Sequence, residues 1–116
     1  MRNFKELKIW KLGFDIAVNS ISLTADFPTT EKFGLVSQIN RAAISIPSNI
    51  AEGSSRKSEK DYNRFIEISL GSSFEFETQL LIAQKLKMGH PDLLQATLNM
   101  VIEEEKMLSG FSRKLS

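Results

Sequence analysis

The stretch that decides the fold is residues 33–53, which read FGLVSQINRAAISIPSNIAEG. Its apolar residues recur at steps of three and four, the spacing that places side chains on one face of an α-helix. The predicted core face of this helix consists of Leu35, Ile39, Ala42, Ala43, Ile46 and Ile50. Because Pro47 removes a backbone hydrogen bond to Ala43, the stretch is either one helix kinked near Pro47 or two shorter helices.

Three short segments rich in glycine, proline or serine interrupt the helical periodicity, at residues 26–30, 53–57 and 88–92. Gly89 suits a left-handed helix end, Pro91 suits the first turn of the next helix, and Ser58 with Asp61 forms a capping signal. Four helical segments remain, at about 7–25, 33–53, 58–88 and 92–114, and short connections favour antiparallel neighbours. The sequence therefore predicts an all-α, antiparallel up-down-up-down four-helix bundle, formed by residues 1–116 as a single domain.

The composition is typical of a soluble globular protein, since 41% of the 116 residues are hydrophobic and 25% are charged. The 15 Lys and Arg residues nearly balance the 14 Asp and Glu residues, and a net charge of +1 predicts no strong generic attraction to nucleic acid or to an anionic membrane. The absence of cysteine excludes disulfides, cysteine–zinc sites and thiol catalysis. No apolar run approaches roughly 18 residues and no signal peptide is recognisable, so we expect a cytoplasmic protein without membrane contact.

The first helix carries apolar residues on two opposite faces. The stripe that we assign to the core contains Leu7, Trp10, Phe14, Ala17 and Ile21. A bundle helix needs only one apolar face, so the opposite stripe predicts contact with another subunit; cover by a long fourth helix or scattered surface positions are the alternatives. The third helix is apolar on several sides, and the complete set of predicted interface residues is Ile9, Leu12, Ile16, Leu23, Leu70, Phe74 and Leu81.

Residues able to carry catalysis are scarce. The single histidine, His90, precedes Pro91 in a turn, where a loop or helix-cap role is expected. The sequence contains neither paired histidines at helical spacing, nor a Glu-x-x-His di-iron pattern, nor a glycine-rich phosphate loop. We therefore expect no catalytic residue, no metal, no cofactor and no enzyme activity. The acidic run of residues 103–105 is interpreted as a solvated helix side.

A polar ladder runs along the second helix beside its apolar face. Its members, together with the partners expected on the third helix, are Gln38, Arg41, Ser45, Asn49, Glu52, Arg64 and Glu75. Arg41 and Glu52 are roughly 16 Å apart along the helix axis, so each needs a partner on another helix. Three interpretations stay open: a solvated face, a partly buried network that sets helix register, or a ligand or partner pocket.

Positive charge concentrates in two places. One group decorates the start of the first helix, and the other lies around the second loop, where Glu59 and Asp61 dilute it. The first group is Arg2, Lys5, Lys8 and Lys11, and the second is Arg56, Lys57, Lys60 and Arg64. The candidate nucleic-acid contacts among them are Lys5, Lys8, Lys11, Arg56 and Lys57. We expect neither group to present aromatic residues that could stack on bases. A solvated surface is one interpretation; the other is a ring of basic residues that binds nucleic acid, because a symmetric oligomer multiplies each patch.

The motif in residues 33–53 resembles the pattern GL..Qi.RAa.SIpsNIAEG of the bacterial four-helix bundle proteins of the 23S rRNA intervening-sequence family. The segments Tyr62–Ile66 and Gly71–Glu75 are also similar to that family, and the resemblance covers essentially the whole chain. The resemblance implies a homopentamer without established enzyme activity. The chain is similar as well to the accessory variability protein of diversity-generating retroelements, a pentameric bundle that binds nucleic acid and a reverse transcriptase. That relative is strongly basic, and this chain departs from it.

The sequence thus favours a non-enzymatic, homo-oligomeric scaffold or interaction protein, with ribosomal RNA or a nucleic-acid enzyme as candidate partners. Direct nucleic-acid binding through a symmetric basic ring is the alternative. A small-molecule pocket at the polar ladder is a more remote one.

Overall fold

A computed structural model describes residues 2–116 of the chain. It contains four α-helices: α1 (Lys8–Thr24), α2 (Leu35–Ser54), α3 (Glu59–Lys85) and α4 (Pro91–Leu115). Single 3-10 turns at Phe4–Glu6 and Thr29–Glu31 precede α1 and α2. The described chain contains no β-strand, and it measures 43 × 23 × 20 Å. Within residues 2–116, no helix combines the length and the apolar character needed to span a lipid bilayer.

The helices end where local chemistry provides caps. The Ser58 hydroxyl oxygen accepts a hydrogen bond from the Asp61 backbone N–H at 3.1 Å, as the capping signal predicts. His90 is the N-cap of α4, where its Nδ1 atom accepts from the Asp92 N–H at 3.3 Å. Gly89 has a φ of +78°, and a Cβ there would lie 2.8 Å from atoms of both Leu23 and Phe27. Only glycine satisfies both constraints at this turn.

Neighbouring helices run in opposite directions, which confirms the predicted four-helix bundle. Gly13 of α1 lies beside Ile46 of α2. About two turns further along α1, Ser20 donates its hydroxyl hydrogen to Asn40 at 2.7 Å, so α2 runs in the opposite direction. The same reversal relates α2 and α3, through the contacts of Ile46 with Ser69 and of Gly53 with Tyr62. It relates α3 and α4 through Asn63 with Ser112 and Gln84 with Gln95. It relates α1 and α4 through Gly13 with Glu104 and Asn19 with Met100.

Helix α2 is continuous through Pro47, so the alternative of two shorter helices is wrong. Its predicted core residues Ile39, Ala42, Ala43, Ile46 and Ile50 are all buried, and Leu35 packs against the core while half-buried. The Ser69 hydroxyl of α3 donates to the Ile46 carbonyl at 2.8 Å, next to the proline.

The assignment of the two stripes on α1 is wrong, because the structure buries the opposite stripe. Ile9, Ile16 and Leu23 lie in the core of the protomer, with Ile16 0% exposed, and Leu12 packs against that core. They are therefore not free to form a subunit interface. The stripe assigned to the core is instead the outer one: Phe14 is 48% and Ile21 54% exposed, while Leu7, Trp10 and Ala17 are half-buried.

Small and polar residues explain why the buried stripe of α1 is the one that was predicted to face outward. Between the buried apolar residues of α1 lie Gly13, Ser20 and Thr24, which are buried as well but weaken the apolar pattern of that face in the sequence. Gly13 permits close approach, since a Cβ there would lie 3.2 Å from Ile46 and 2.8 Å from the Glu104 Oε2 atom. Asn40 satisfies the two hydroxyls, accepting from Ser20 at 2.7 Å and donating to the Thr24 oxygen at 3.0 Å.

Candidate interaction surfaces

An apolar groove lies on the outside of the bundle between α1 and α2. We call it the α1–α2 groove, and its lining residues are Trp10, Phe14, Ala17, Val18, Ile21, Ile44, Pro47, Ser48 and Ala51. The outer stripe of α1 supplies one wall and Ile44, which is exposed, belongs to the other. Large apolar side chains exposed together in this way are typical of a contact site.

A second exposed apolar area, the α3 surface, consists of Ile68, Phe74, Thr78, Leu81, Ile82, Lys85 and Leu86. Phe74 and Leu81 were predicted interface residues, and the structure leaves Leu81 47% exposed. Leu70, predicted with them, is half-buried and packs against the core. Within the described chain, α3 contacts α2 and α4 but not α1. The α3 surface and the outer wall of α1 therefore lie on opposite sides of the molecule.

The antiparallel fold brings the two basic segments of the sequence together at one end of the bundle. Helices α1 and α3 begin there, and α2 and α4 end there. This basic end comprises residues 2–11, 52–64 and 113–116, and its cations are Arg2, Lys5, Lys8, Lys11, Arg56, Lys57, Lys60, Arg64, Arg113 and Lys114. These residues contain ten of the 15 Lys and Arg residues of the chain but only four of its Asp and Glu residues. The local net charge is therefore +6, whereas the net charge of the whole chain is +1.

The expectation that the basic groups lack aromatic residues among their cations is wrong. Phe4 stands between Arg2 and Lys5 in the sequence, and the fold also brings rings from α3 beside the cations. The Arg2 guanidinium carbon lies 4.6 Å from the centre of the Tyr62 ring, and that of Arg56 lies 4.7 Å from the centre of the Phe65 ring. The ring of Phe4 meets the ring of Trp10 edge-on, with centres 5.3 Å apart. Arginine faces and aromatic rings therefore alternate at the basic end.

A pocket of about 650 Å3 opens at the basic end, between the amino-terminal turn and the α2–α3 loop. We call it the basic-end pocket, and its lining residues are Arg2, Phe4, Ala51, Ser54, Ser55 and Arg56. Arg2 is anchored across it: one terminal nitrogen donates to the Ser54 carbonyl at 3.3 Å and also to the Arg56 carbonyl. Arg2 and Arg56 belong to the two basic groups of the sequence, whereas Phe4 was not a predicted site residue. Only the fold places Arg2 and Phe4 beside a loop more than 50 residues away.

Of the three interpretations of the polar ladder, the structure favours a solvated face for most of its residues. Ser45 bonds to Ser72 at 2.8 Å and Asn49 donates to Ser45, but the other ladder residues do not join them. The Arg56–Glu52 contact, at 3.2 Å, is the one ion pair within residues 2–116. An open groove between α2 and α3 is lined by the exposed residues Gln38, Arg41 and Glu75. The Glu75 carboxylate accepts a hydrogen bond from the Gln79 side chain, and the Arg64 guanidinium lies over the ring of its neighbour Phe65. Most of the ladder is thus a solvated face.

The acidic run of α4 departs from the expected solvated side. Glu103 is exposed, whereas Glu104 is 0% exposed and neither of its carboxyl oxygens has a hydrogen-bond partner. Burial raises the pKa of Glu104 to about 8. Burial also raises the pKa of Glu105 to about 8, and the neighbouring Glu77 carboxyl adds to this shift. Glu104 is therefore held mainly as a neutral acid in the core at neutral pH.

Within the described residues, no three side chains of the His, Cys, Asp or Glu type come close enough together to hold a metal ion. His90 caps a helix and has no acidic or nucleophilic side chain as a recorded hydrogen-bond partner. The features that distinguish this molecule are consequently its surfaces: the α1–α2 groove, the α3 surface and the basic end.

Comparisons with known proteins agree with the helical architecture. The model of the 23S rRNA-intervening sequence protein family matches residues 5–110. Among solved structures, the chain is similar to a protein of unknown function from the S23 ribosomal protein family of Bacteroides thetaiotaomicron VPI-5482. That likeness has a TM-score of 0.80 at 21% sequence identity and covers 90% of this chain and 97% of the other. At this identity it shows a shared fold. No curated protein matches the sequence.

Proposed function

This chain belongs to the 23S rRNA-intervening sequence protein family, and on that basis we propose that it is a non-enzymatic scaffold that assembles with copies of itself. The observation that carries the proposal is the pair of exposed apolar surfaces on opposite sides of the protomer. Monomeric proteins seldom expose two such areas, since each costs free energy in contact with water.

The two surfaces differ in shape and composition, so the contact between copies joins unlike faces. The α1–α2 groove of one copy receives the α3 surface of the next, with Phe14 and Ile21 contacting a set that includes Leu81. Head-to-tail contacts of this kind close into rings when the rotation between copies permits. A closed ring is consistent with the pentamer that the sequence resemblance implies.

Light scattering coupled to gel filtration tests the assembly. Phe14→Glu places a charge in the α1–α2 groove and Leu81→Glu places one on the α3 surface, and each exchange is expected to convert the oligomer into monomers. Ser22→Glu is the matched control, because Ser22 is exposed on α1 but does not line the groove. A wild-type monomer at about 10 µM, or dissociation by Ser22→Glu alone, would contradict the proposal.

Mixing the two variants tests whether unlike faces meet. The Phe14→Glu chain keeps an intact α3 surface and the Leu81→Glu chain keeps an intact groove, so an equimolar mixture should form a 1:1 dimer and nothing larger. If like faces met instead, a variant that keeps an intact self-contacting face would form dimers by itself, before any mixing.

Nucleic-acid binding by the basic end is a second candidate function. It is favoured by the net charge of +6 that the fold concentrates there, which the total of +1 conceals. In a ring whose copies share one orientation, the basic ends would lie on the same side. Phosphate contacts release counterions, so binding to RNA is expected to weaken steeply as salt increases.

Electrophoretic shifts with structured RNA at increasing salt measure this binding. The double exchange Lys5→Gln with Lys57→Gln should lower the slope of log affinity against log salt by about 0.7 to 0.9 for each lysine that contacts a phosphate. Lys32→Gln with Lys87→Gln removes the same charge from the opposite end and serves as the control. Absence of binding at about 50 mM salt, or equal effects of both double exchanges, would remove this function.

A further inference from the structure

We propose that the basic-end pocket binds one unpaired nucleobase of a single-stranded nucleic acid, with the arginine and aromatic planes stacking on the base and the surrounding lysines contacting its phosphates. This inference rests on the nucleic-acid binding proposed above and specifies what that surface prefers.

The shape of the site favours a single strand. The basic-end pocket is a recess of about 650 Å3 between the amino-terminal turn and the end of α2. Pockets of this volume hold small planar ligands. The bases of a duplex are stacked and paired inside it, whereas an unpaired base can turn outward and enter a recess.

The pocket supplies planar surfaces that are already held in place. The Arg2 guanidinium carbon lies 4.6 Å from the centre of the Tyr62 ring, and one terminal nitrogen is held by hydrogen bonds to the Ser54 and Arg56 carbonyls. Arg56 lies on Phe65 at 4.7 Å and pairs with Glu52 at 3.2 Å. The Phe4 ring, half-buried against Trp10, completes the lining. Bases stack on both guanidinium planes and aromatic rings.

Two hydroxyls belong to the pocket lining, and one of them adds hydrogen-bonding capacity. Ser54 donates its hydroxyl hydrogen to the Ala51 carbonyl at 2.6 Å, and Ser55 donates to the Glu52 carbonyl at 2.7 Å. Ser54 is only 6% exposed, so the exposed Ser55 oxygen is the acceptor that the N–H groups on the edge of a base can reach. The carboxylates of an acidic peptide gain nothing from this acceptor and present no aromatic ring to the planes of the pocket. A base offers both an N–H edge and a flat face, so the lining favours a base over such a peptide.

Charge at the rim fits the backbone of the same strand. Lys5 and Lys57 belong to the two segments that form the pocket, and both are exposed. Ammonium groups of this kind contact phosphates without regard to base identity. The stacked base would therefore provide the preference for a single strand, while the lysines provide affinity common to all nucleic acids.

Fluorescence anisotropy of the full chain tests the inference with three probes at one salt concentration: labelled decamers of uridine and of adenosine, and a blunt RNA duplex of equal length. Phe4→Leu removes the ring but keeps an apolar side chain, and Arg56→Lys keeps the charge but removes the plane. Each is expected to weaken single-strand binding about tenfold, which is within the range for loss of one stacked base, and to change duplex binding less than twofold. Lys5→Gln removes a positive charge but no planar stacking group, so it should weaken the binding of all three probes by the same factor.

Trp10 provides a second readout, because it is the only tryptophan of the chain and its ring touches that of Phe4. Entry of a base should change the Trp10 emission with the single strands and not with the duplex. Circular dichroism establishes that each variant is folded, and the Phe4 and Arg56 exchanges lie in different elements, so one misfolded variant leaves the other informative.

The possible failures are distinguishable. If the wild type binds none of the probes at low salt, the proposed nucleic-acid function falls together with the pocket. If it binds single strands and duplex equally, and Phe4→Leu and Arg56→Lys affect all probes as Lys5→Gln does, nucleic-acid binding stands and the base pocket is refuted. Displacement of the strands by an acidic peptide at equal concentration would also refute it.

Discussion

Replacing the buried Glu104 by glutamine should make the protein more stable, and increasingly so as the pH rises. The carboxyl is 0% exposed, has no hydrogen-bond partner, and has its pKa raised by burial from 4.5 to about 8. Below pH 4.5 it is protonated in both the folded and the unfolded chain. Between pH 4.5 and about 8 the unfolded chain loses this proton and the folded chain retains it, so rising pH favours unfolding.

The magnitude follows from that interval. Each pH unit costs about 1.4 kcal/mol, so between pH 4.5 and pH 7 the ionisation of Glu104 lowers the free energy of unfolding by about 3 kcal/mol. Domains of this size are stable by about 5–15 kcal/mol, so the effect is a large fraction of the whole. Glutamine has nearly the same shape and no charge in either state, and Glu104→Gln therefore removes the pH-dependent loss.

Urea unfolding followed by circular dichroism, at one protein concentration and at several pH values from 4.5 to 8, measures the effect. The stability difference between Glu104→Gln and the wild type should grow by about 3 kcal/mol from pH 4.5 to pH 7. Glu105 is present in both proteins, so its own titration cancels from the comparison. The matched control is Glu103→Gln, which makes the same exchange on the exposed neighbour. A Glu104→Gln difference that does not change with pH would refute the buried, neutral acid.

Three further changes test the packing by urea unfolding or thermal melting. Ile16→Ala should cost about 2–5 kcal/mol because Ile16 is fully buried, whereas Phe14→Ala should cost much less within the protomer; the reverse order would mean that the stripes of α1 are assigned incorrectly. Gly89→Ala should destabilise by about 1–3 kcal/mol, since its φ is +78° and the added Cβ meets Leu23 and Phe27 at 2.8 Å; an unchanged Tm would contradict this. Ser58→Ala removes the hydrogen bond to the Asp61 N–H and should cost about 1 kcal/mol, whereas Ser58→Asp, which restores a capping oxygen, should recover most of that loss.

The helices and the turns between them were predictable because their causes are local. A cap such as Ser58, the left-handed Gly89 and Pro91 in the first turn of α4 act on the backbone within a few residues. The three-and-four spacing of residues 33–53 is likewise a property of one segment, and it identified the buried face of α2. Such signals are readable without knowing what lies across the core.

The orientation of α1 was not predictable in this way. Both of its faces carry a helical stripe, and the more apolar one faces outward. The buried face contains Gly13, Ser20 and Thr24, which count against it in any measure of hydrophobicity. These residues favour burial only because of their contacts with α2 and α4. Gly13 leaves room for the side chains of Ile46 and Glu104, and Asn40 forms hydrogen bonds with the Ser20 and Thr24 hydroxyls.

The chain by itself determined four helices, their limits to within a few residues and an antiparallel bundle, because periodicity, caps and short connections are encoded along the backbone. The tertiary structure decided which stripe of α1 is buried and that the Glu104 side chain is shielded from solvent. It also decided that Arg2 contacts Arg56 in the α2–α3 loop, 54 residues away. These depend on which side chains face each other across the bundle. Contacts between residues far apart in sequence leave no local pattern. The α1–α2 groove and the basic end are formed by such contacts, whereas the α3 surface belongs to a single helix.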